Sequence, residues 1–147
     1  GPPQNTLMSV RLKKHFTASM ILAVMLLGTG CAKTVRFKSF PMAGRGAATA
    51  KVELTFDRNN TLDVKLSNVP EPSSLKPEYT RYVLWAATPD RQHTVNIGQL
   101  RVDEKKNAEI KTMTPLRSFI LFITAEAAGD AATPGPEVLF EAQQTDW

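Results

Sequence analysis

The sequence predicts an all-β protein, an antiparallel β-sandwich of about seven strands, behind an N-terminal signal helix and a flexible tether. Three observations carry this. Short segments alternate apolar and polar residues with a period of two, as in Lys51-Val52-Glu53-Leu54 and Leu62-Asp63-Val64-Lys65. Two runs, Tyr82–Ala87 and Phe119–Thr124, are apolar on both faces, as central strands are. Beyond residue 30, turn chemistry recurs at short spacing and no long segment repeats with the helical period of 3.6. A small barrel is the alternative with the same strand content.

Residues 1–7 precede the plausible start at Met8 and read as an artificial or over-called leader. Residues 8–30 have the layout of a secretory signal. Arg11, Lys13 and Lys14 are basic, Phe16 to Leu27 is largely apolar, and Gly28, Thr29 and Gly30 are small. The apolar run is shorter than the ~20 residues a bilayer-crossing helix needs. The stretch ends at Cys31, the single cysteine of the chain, so no disulfide can form within it.

The box Leu27-Gly28-Thr29-Gly30-Cys31 resembles bacterial lipoprotein signals. That resemblance implies that Cys31 is lipidated, becomes the mature N-terminus and holds the protein to a membrane on the periplasmic side of the envelope. Each buried CH₂ of an acyl chain contributes ~0.8 kcal/mol, so several chains on one cysteine form a firm anchor. The competing reading is an ordinary signal with small-x-small cleavage and a spare thiol.

Composition limits the partners. The net charge of +4 comes with 18 basic and 14 acidic residues, and no acidic residue lies before Cys31. Loss of Arg11, Lys13 and Lys14 with the signal brings the rest close to neutrality. No basic field is left to argue for nucleic acid.

Residues 31–49 read as the tether, rich in Gly and Ala. Within them Thr34 to Phe40 alternates weakly and fits a short edge strand. Lys33, Arg36 and Lys38 suit either anionic headgroups or a solvated linker. The sandwich is expected over residues 50–142. Its first hairpin joins Val52, Leu54 and Phe56 to Leu62, Val64 and Leu66 through a five-residue loop at 57–61. That register sets Phe56 opposite Leu62 and Glu53 opposite Lys65.

Pro70, Pro72 and Pro77 stiffen a long connection to the next strand. Trp85 belongs in the core. Thr88-Pro89-Asp90 is a turn, and Val95, Ile97 and Leu100 form a strand in which Gly98 marks a bulge or a close approach. Asp103 to Lys106 is a polar turn. Ala108 and Ile110 form a short strand. Residues 127–136 make a small-residue loop that closes on Pro134-Gly135-Pro136, before a last strand at Val138–Phe140 and a polar tail at 143–147.

Several segments, in order, resemble the extracytoplasmic C-terminal domain of anti-sigma-K factors. They are Tyr82-Val83-Leu84-Trp85-Ala86, Ile97-Gly98-Gln99-Leu100, Phe119 to Glu126 with its Thr124-Ala125-Glu126 ending, and Pro134-Gly135-Pro136-Glu137-Val138-Leu139. The likeness covers residues 50–142. It implies an immunoglobulin-like sandwich outside the cytoplasmic membrane and carries over no catalytic residue. Sigma-factor inhibition does not follow, because the family performs it with a cytoplasmic helical segment.

No catalytic, cofactor-binding or metal-binding constellation is expected. One cysteine and two histidines do not make a zinc site. Asp90, His93 and Ser118 are a trio that any chain of this length offers, and no nucleophile elbow supports it. The Pro134-Gly135-Pro136 loop is the candidate interaction site. Its chemistry suits fixing the start of the last strand, and equally display at one end of a sandwich. The expected function is therefore a lipid-anchored, non-enzymatic interaction or structural module. Its partners are a membrane, through Cys31, and another envelope protein, with no small-molecule ligand identifiable. The alternative is the sensory domain of an anti-sigma-type system acting through a separate membrane partner.

Overall fold

The computed structural model describes residues 32–144. The expectations for the leader, the signal and Cys31, and the end of the tail, lie outside the described residues.

Among the described residues nine strands form two antiparallel sheets, in an all-β sandwich. They are β1 (Ala32–Arg36), β2 (Lys38–Ser39), β3 (Ala47–Leu54), β4 (Asn60–Ser67), β5 (Arg81–Ala87), β6 (Thr94–Leu100), β7 (Ala108–Thr114), β8 (Phe119–Glu126) and β9 (Val138–Gln144). One sheet has the order β1-β3-β4-β7 and the other β2-β9-β8-β5-β6. A 3-10 turn at Pro41–Ala43 and a helical turn at Pro72–Leu75 are the helical elements among the described residues.

Period-two patterning builds the four-stranded sheet as expected. Ala48, Ala50 and Val52 of β3 face the core with Leu62, Val64 and Leu66 of β4. Lys51, Asp63 and Lys111 point the other way in one cross-strand row. In the five-stranded sheet, β5 and β8 are central, and every residue of β8 is buried. Tyr82, Leu84, Phe119, Leu121, Ile123 and Phe140 fill the space between the sheets.

The tether expected over 31–49 is corrected. Ala32–Arg36 pairs along its whole length with β3, and Lys38–Ser39 pairs with β9. Between them Phe37 is buried, and its N–H donates to the Ala48 carbonyl at 3.0 Å. The chain thus crosses from one sheet to the other at Phe37. An edge strand of this kind is held by backbone bonds, and four of the five β1 residues are exposed. Its side chains therefore carry almost no alternation. These two strands raise the count from about seven to nine. At the other end Gln143 and Gln144, expected in the polar tail, extend β9.

The first hairpin keeps its five-residue loop but slides. The loop is Thr55–Asn59, and Leu54 faces Asn60 while Val52 faces Leu62. The expected Phe56–Leu62 and Glu53–Lys65 pairs do not form. The slide is by an even number of residues, so the apolar face still meets the apolar face. Local polar bonding explains the shift. The Thr55 N–H donates to the Asn59 carbonyl at 2.9 Å, and Asp57 accepts from the Asn59 N–H at 3.2 Å and from the Asn59 amide at 3.1 Å. Arg58 takes φ 66° to close the turn. This Asx-type turn forms at the cost of leaving Phe56 fully exposed. Lys65 meets Glu109 of β7 instead, at 3.6 Å.

Gly98 is both a bulge and a close approach. The register of β5 with β6 shifts between Leu84 and Trp85, and a Cβ on Gly98 would sit 2.1 Å from Ile110 Cδ1.

The Tyr82 hydroxyl donates to the Pro70 carbonyl at 2.6 Å and ties the proline-rich connection to the core. Burial, with the Glu71 charge behind it, pushes the phenol well above its ordinary 10.0. A group raised in the folded state contributes stability that is fully present below its unfolded pKa and lost as pH rises past it. Stability is therefore expected to fall as pH climbs through about 10, where the unfolded tyrosine ionises and the folded one does not. Melting temperatures of the protein and of Tyr82→Phe across that range check this; the variant should lose the alkaline decline that Tyr82 causes.

Candidate interaction site

The outer face of the five-stranded sheet carries a second apolar cluster. Val83, Trp85 and Ala87 of β5 lie beside Ile120 and Phe122 of β8, with Ala131 and Val138 packed against them. Trp85 is fully buried and stacks on Phe122, with ring centroids 6.3 Å apart and planes at 16°. Burial of Trp85 is as expected, but the cluster that takes it lies outside the inter-sheet core. The doubly apolar patterning of β5 has its cause here: one face packs on the other sheet, and the opposite face packs under the β8–β9 loop.

That loop, residues 127–137, is latched by a chain of hydrogen bonds. Trp85 Nε1 donates to Thr124 Oγ1 at 2.8 Å, and Thr124 Oγ1 donates to Glu126 Oε2. The same Glu126 oxygen accepts the Gly135 N–H at 2.8 Å. Within Pro134-Gly135-Pro136 only the glycine owns a backbone N–H. A Cβ on Gly135 would lie 3.3 Å from both Glu126 carboxylate oxygens, so a larger residue would press on the acceptor it needs. Glu126 is buried, and its two donors offset the cost of removing a carboxylate from water.

Three further braces hold the loop. Asn96 Nδ2 donates to the carbonyls of Gly129 and Ala131, at 2.9 and 3.0 Å. Thr80 Oγ1 donates to the Ala127 carbonyl at 2.7 Å. Lys76 Nζ lies 3.1 Å from Glu137, and this bond raises the ammonium pKa. Pro134 and Pro136 point out into solvent, while Gly135 is half-buried. The candidate loop is therefore held by part-buried bonds from Glu126 and Asn96, with its two proline rings outward. Such a surface suits docking of a protein segment, since little order is lost on contact.

Sequence reading missed the brace at Asn96 and the joint between Glu126 and Gly135. A polar residue between Val95 and Ile97, and a carboxylate closing an apolar strand, are the signals for them. Trp85, Thr124, Glu126 and Gly135 thus lie on one bonded path.

The other polar candidates serve their own turns. Asp90 accepts from Thr88 Oγ1 at 2.6 Å and from the Gln92 N–H at 3.0 Å, and these bonds hold its carboxyl below the usual range. His93 is exposed in that turn, and Ser118 belongs to the β7–β8 connection. Asp103 accepts from the N–H groups of Lys105 and Asn107 at 2.8 and 2.9 Å. Among the described residues no group of three His, Cys, Asp or Glu side chains is placed to hold a metal.

The ends of the sandwich are set by the pairing. Ala32 at the start of β1 faces Glu53 near the end of β3. β7 finishes at this same end, and β8 starts there after a short connection. From this end β8 runs the length of its sheet, from Phe119 to Glu126, and carries the chain to the opposite end, where the 127–137 loop follows. The candidate loop and the start of β1 are thus at opposite ends.

In comparisons with family models, curated proteins and solved structures, the chain matches none.

Proposed function

We propose that this protein is a lipid-anchored, non-enzymatic interaction module on the periplasmic side of the bacterial envelope. It is held through Cys31 and presents Pro134-Gly135-Pro136 to another envelope protein. The observation that carries this reading is the latched loop at the end of the sandwich away from the start of β1. A lipid on Cys31 is one residue from Ala32, so the loop stands out from the membrane. The lipoprotein-like box at Leu27–Cys31 supports the anchor. The bonds from Glu126 to Gly135 and from Asn96 to the loop carbonyls support a preformed recognition surface.

A photo-crosslinking residue placed at 134 and, as a control, at 111 on the opposite sheet tests the reading in intact cells. An adduct with one defined envelope protein is expected from position 134 alone. Equal labelling from both positions, or none from 134, would remove the loop as the contact. An adduct with a membrane-bound sigma-factor regulator would assign the sensory role instead. Cys31→Ser is expected to move the protein from the membrane to the soluble fraction; retention of that variant on membranes would count against the anchor.

A further inference from the structure

Four large apolar side chains stand out into solvent among the described residues. Phe56 is fully exposed, Leu54 is 62 % exposed, Val95 56 % and Met113 54 %. Single exposed apolar residues are ordinary. These four, however, share one end of the sandwich. Leu54 closes β3, and Phe56 sits in the turn that follows. Met113 faces Thr61, the second residue of β4. Val95 is the second residue of β6 and faces Ala86 near the end of β5. The two sheets end together here: β7 of one sheet stops at Thr114 and β8 of the other starts at Phe119, with Ala87 at the end of β5 facing Ile120 beside that start. This is the end where β1 begins, with Ala32 facing Glu53.

We propose that this end of the sandwich lies on the bilayer, with Phe56 at the headgroup–acyl boundary and Leu54 and Met113 beside it. The proposal rests on the reading of Cys31 as a lipid anchor. Its physical basis is the missing tether. Regular pairing starts at Ala32, and adjacent Cα atoms are only ~3.8 Å apart. A lipid on Cys31 then leaves no slack chain to lift the sandwich away from the surface, so the side chains around Ala32 meet the membrane. Apolar residues at that one end satisfy the contact, and Val95 on the second sheet adds a point that resists tilting.

The turn sets the depth. Asp57 is held by the Thr55 hydroxyl and the Asn59 N–H, and these bonds keep its carboxyl below the ordinary range and ionised. An ionised group keeps the tip at headgroup level. Arg58, exposed two residues beyond Phe56, has the long stem and charged head that suit lipid phosphates at the same level. An interfacial contact of this kind buries its apolar face ~5–10 Å into the boundary.

The test uses the full chain, purified from membranes and placed in vesicles of phosphatidylethanolamine and phosphatidylglycerol. With Cys31 acylated, Phe56→Cys supplies the one free thiol for an environment-sensitive dye, and Thr133→Cys at the far end is the control. The dye at 56 is expected to shift to the blue and to lose emission to spin-labelled acyl chains, as a probe seated ~5–10 Å into the boundary does. The dye at 133 should do neither. A water-like spectrum at 56, in protein whose intact mass shows an acylated Cys31, overturns the membrane contact and leaves the anchor standing. A blue shift without quenching by lipid means that a second copy covers the tip, and also overturns it. An unmodified Cys31 in the intact mass overturns the anchor, and the membrane contact with it.

Discussion

Trp85→Ala is expected to remove about 3–5 kcal/mol of stability, the range for emptying a buried tryptophan site. Trp85 is fully buried, stacks on Phe122 and spends its indole N–H on Thr124. Alanine leaves a void between β5, β8 and the loop above them, and it frees the Thr124 hydroxyl from one partner. A domain of this size is stable by only ~5–15 kcal/mol, so the variant should be marginal. Trp85→Phe separates the two contributions. It retains a ring against Phe122 and loses the donor, so a smaller loss of about 1–2 kcal/mol is expected. Denaturant unfolding followed by far-UV circular dichroism checks both, because the emission of Trp147 would complicate a fluorescence readout. A loss below about 1 kcal/mol for the alanine variant would mean that the outer cluster contributes little to the fold.

Glu126→Leu is the second large effect, and it acts locally. Leucine approximates the volume but accepts nothing, so the Gly135 N–H loses its partner and Thr124 Oγ1 its acceptor. An unpaired buried polar group costs ~1–3 kcal/mol, and two of them are partly offset by no longer burying a carboxylate. The expected net loss is about 2 kcal/mol. More diagnostic is its location. Amide exchange at Gly135 and protease cleavage within 127–137 should accelerate, while the β3–β4 hairpin stays protected. Glu126→Gln keeps an acceptor of similar size and should retain most of the latch. Unchanged exchange at Gly135 in the leucine variant would show that the loop is held by its prolines and its other braces alone.

Much of this architecture was legible in residue order. The alternation in β3 and β4 and the twice-apolar runs of β5 and β8 identify the strands and their two faces, because pleat geometry sends successive side chains to opposite sides. Gly98 marked its bulge for the same local reason. Turn residues such as Asp90 and Asp103 announced caps that are complete within four residues of themselves.

The parts that were not legible depend on partners distant in the chain. β1 and β2 are held by backbone bonds to β3 and β9, and their exposed side chains leave only the weak alternation that suggested one short edge strand over Thr34 to Phe40. The first hairpin kept its parity but not its register, since the bonds of Thr55, Asp57 and Asn59 outweigh the burial of one phenylalanine. Trp85 was readable as buried, but the side of the sheet it packs against was not, because a twice-apolar strand looks the same from either face. The latch between Glu126 and Gly135, and the gathering of Leu54, Phe56, Val95 and Met113 at the end where β1 starts, exist only once the sheets are stacked. Local patterning specifies which segments become strands; contacts between segments far apart in the chain specify what those strands are paired with and which surfaces they share.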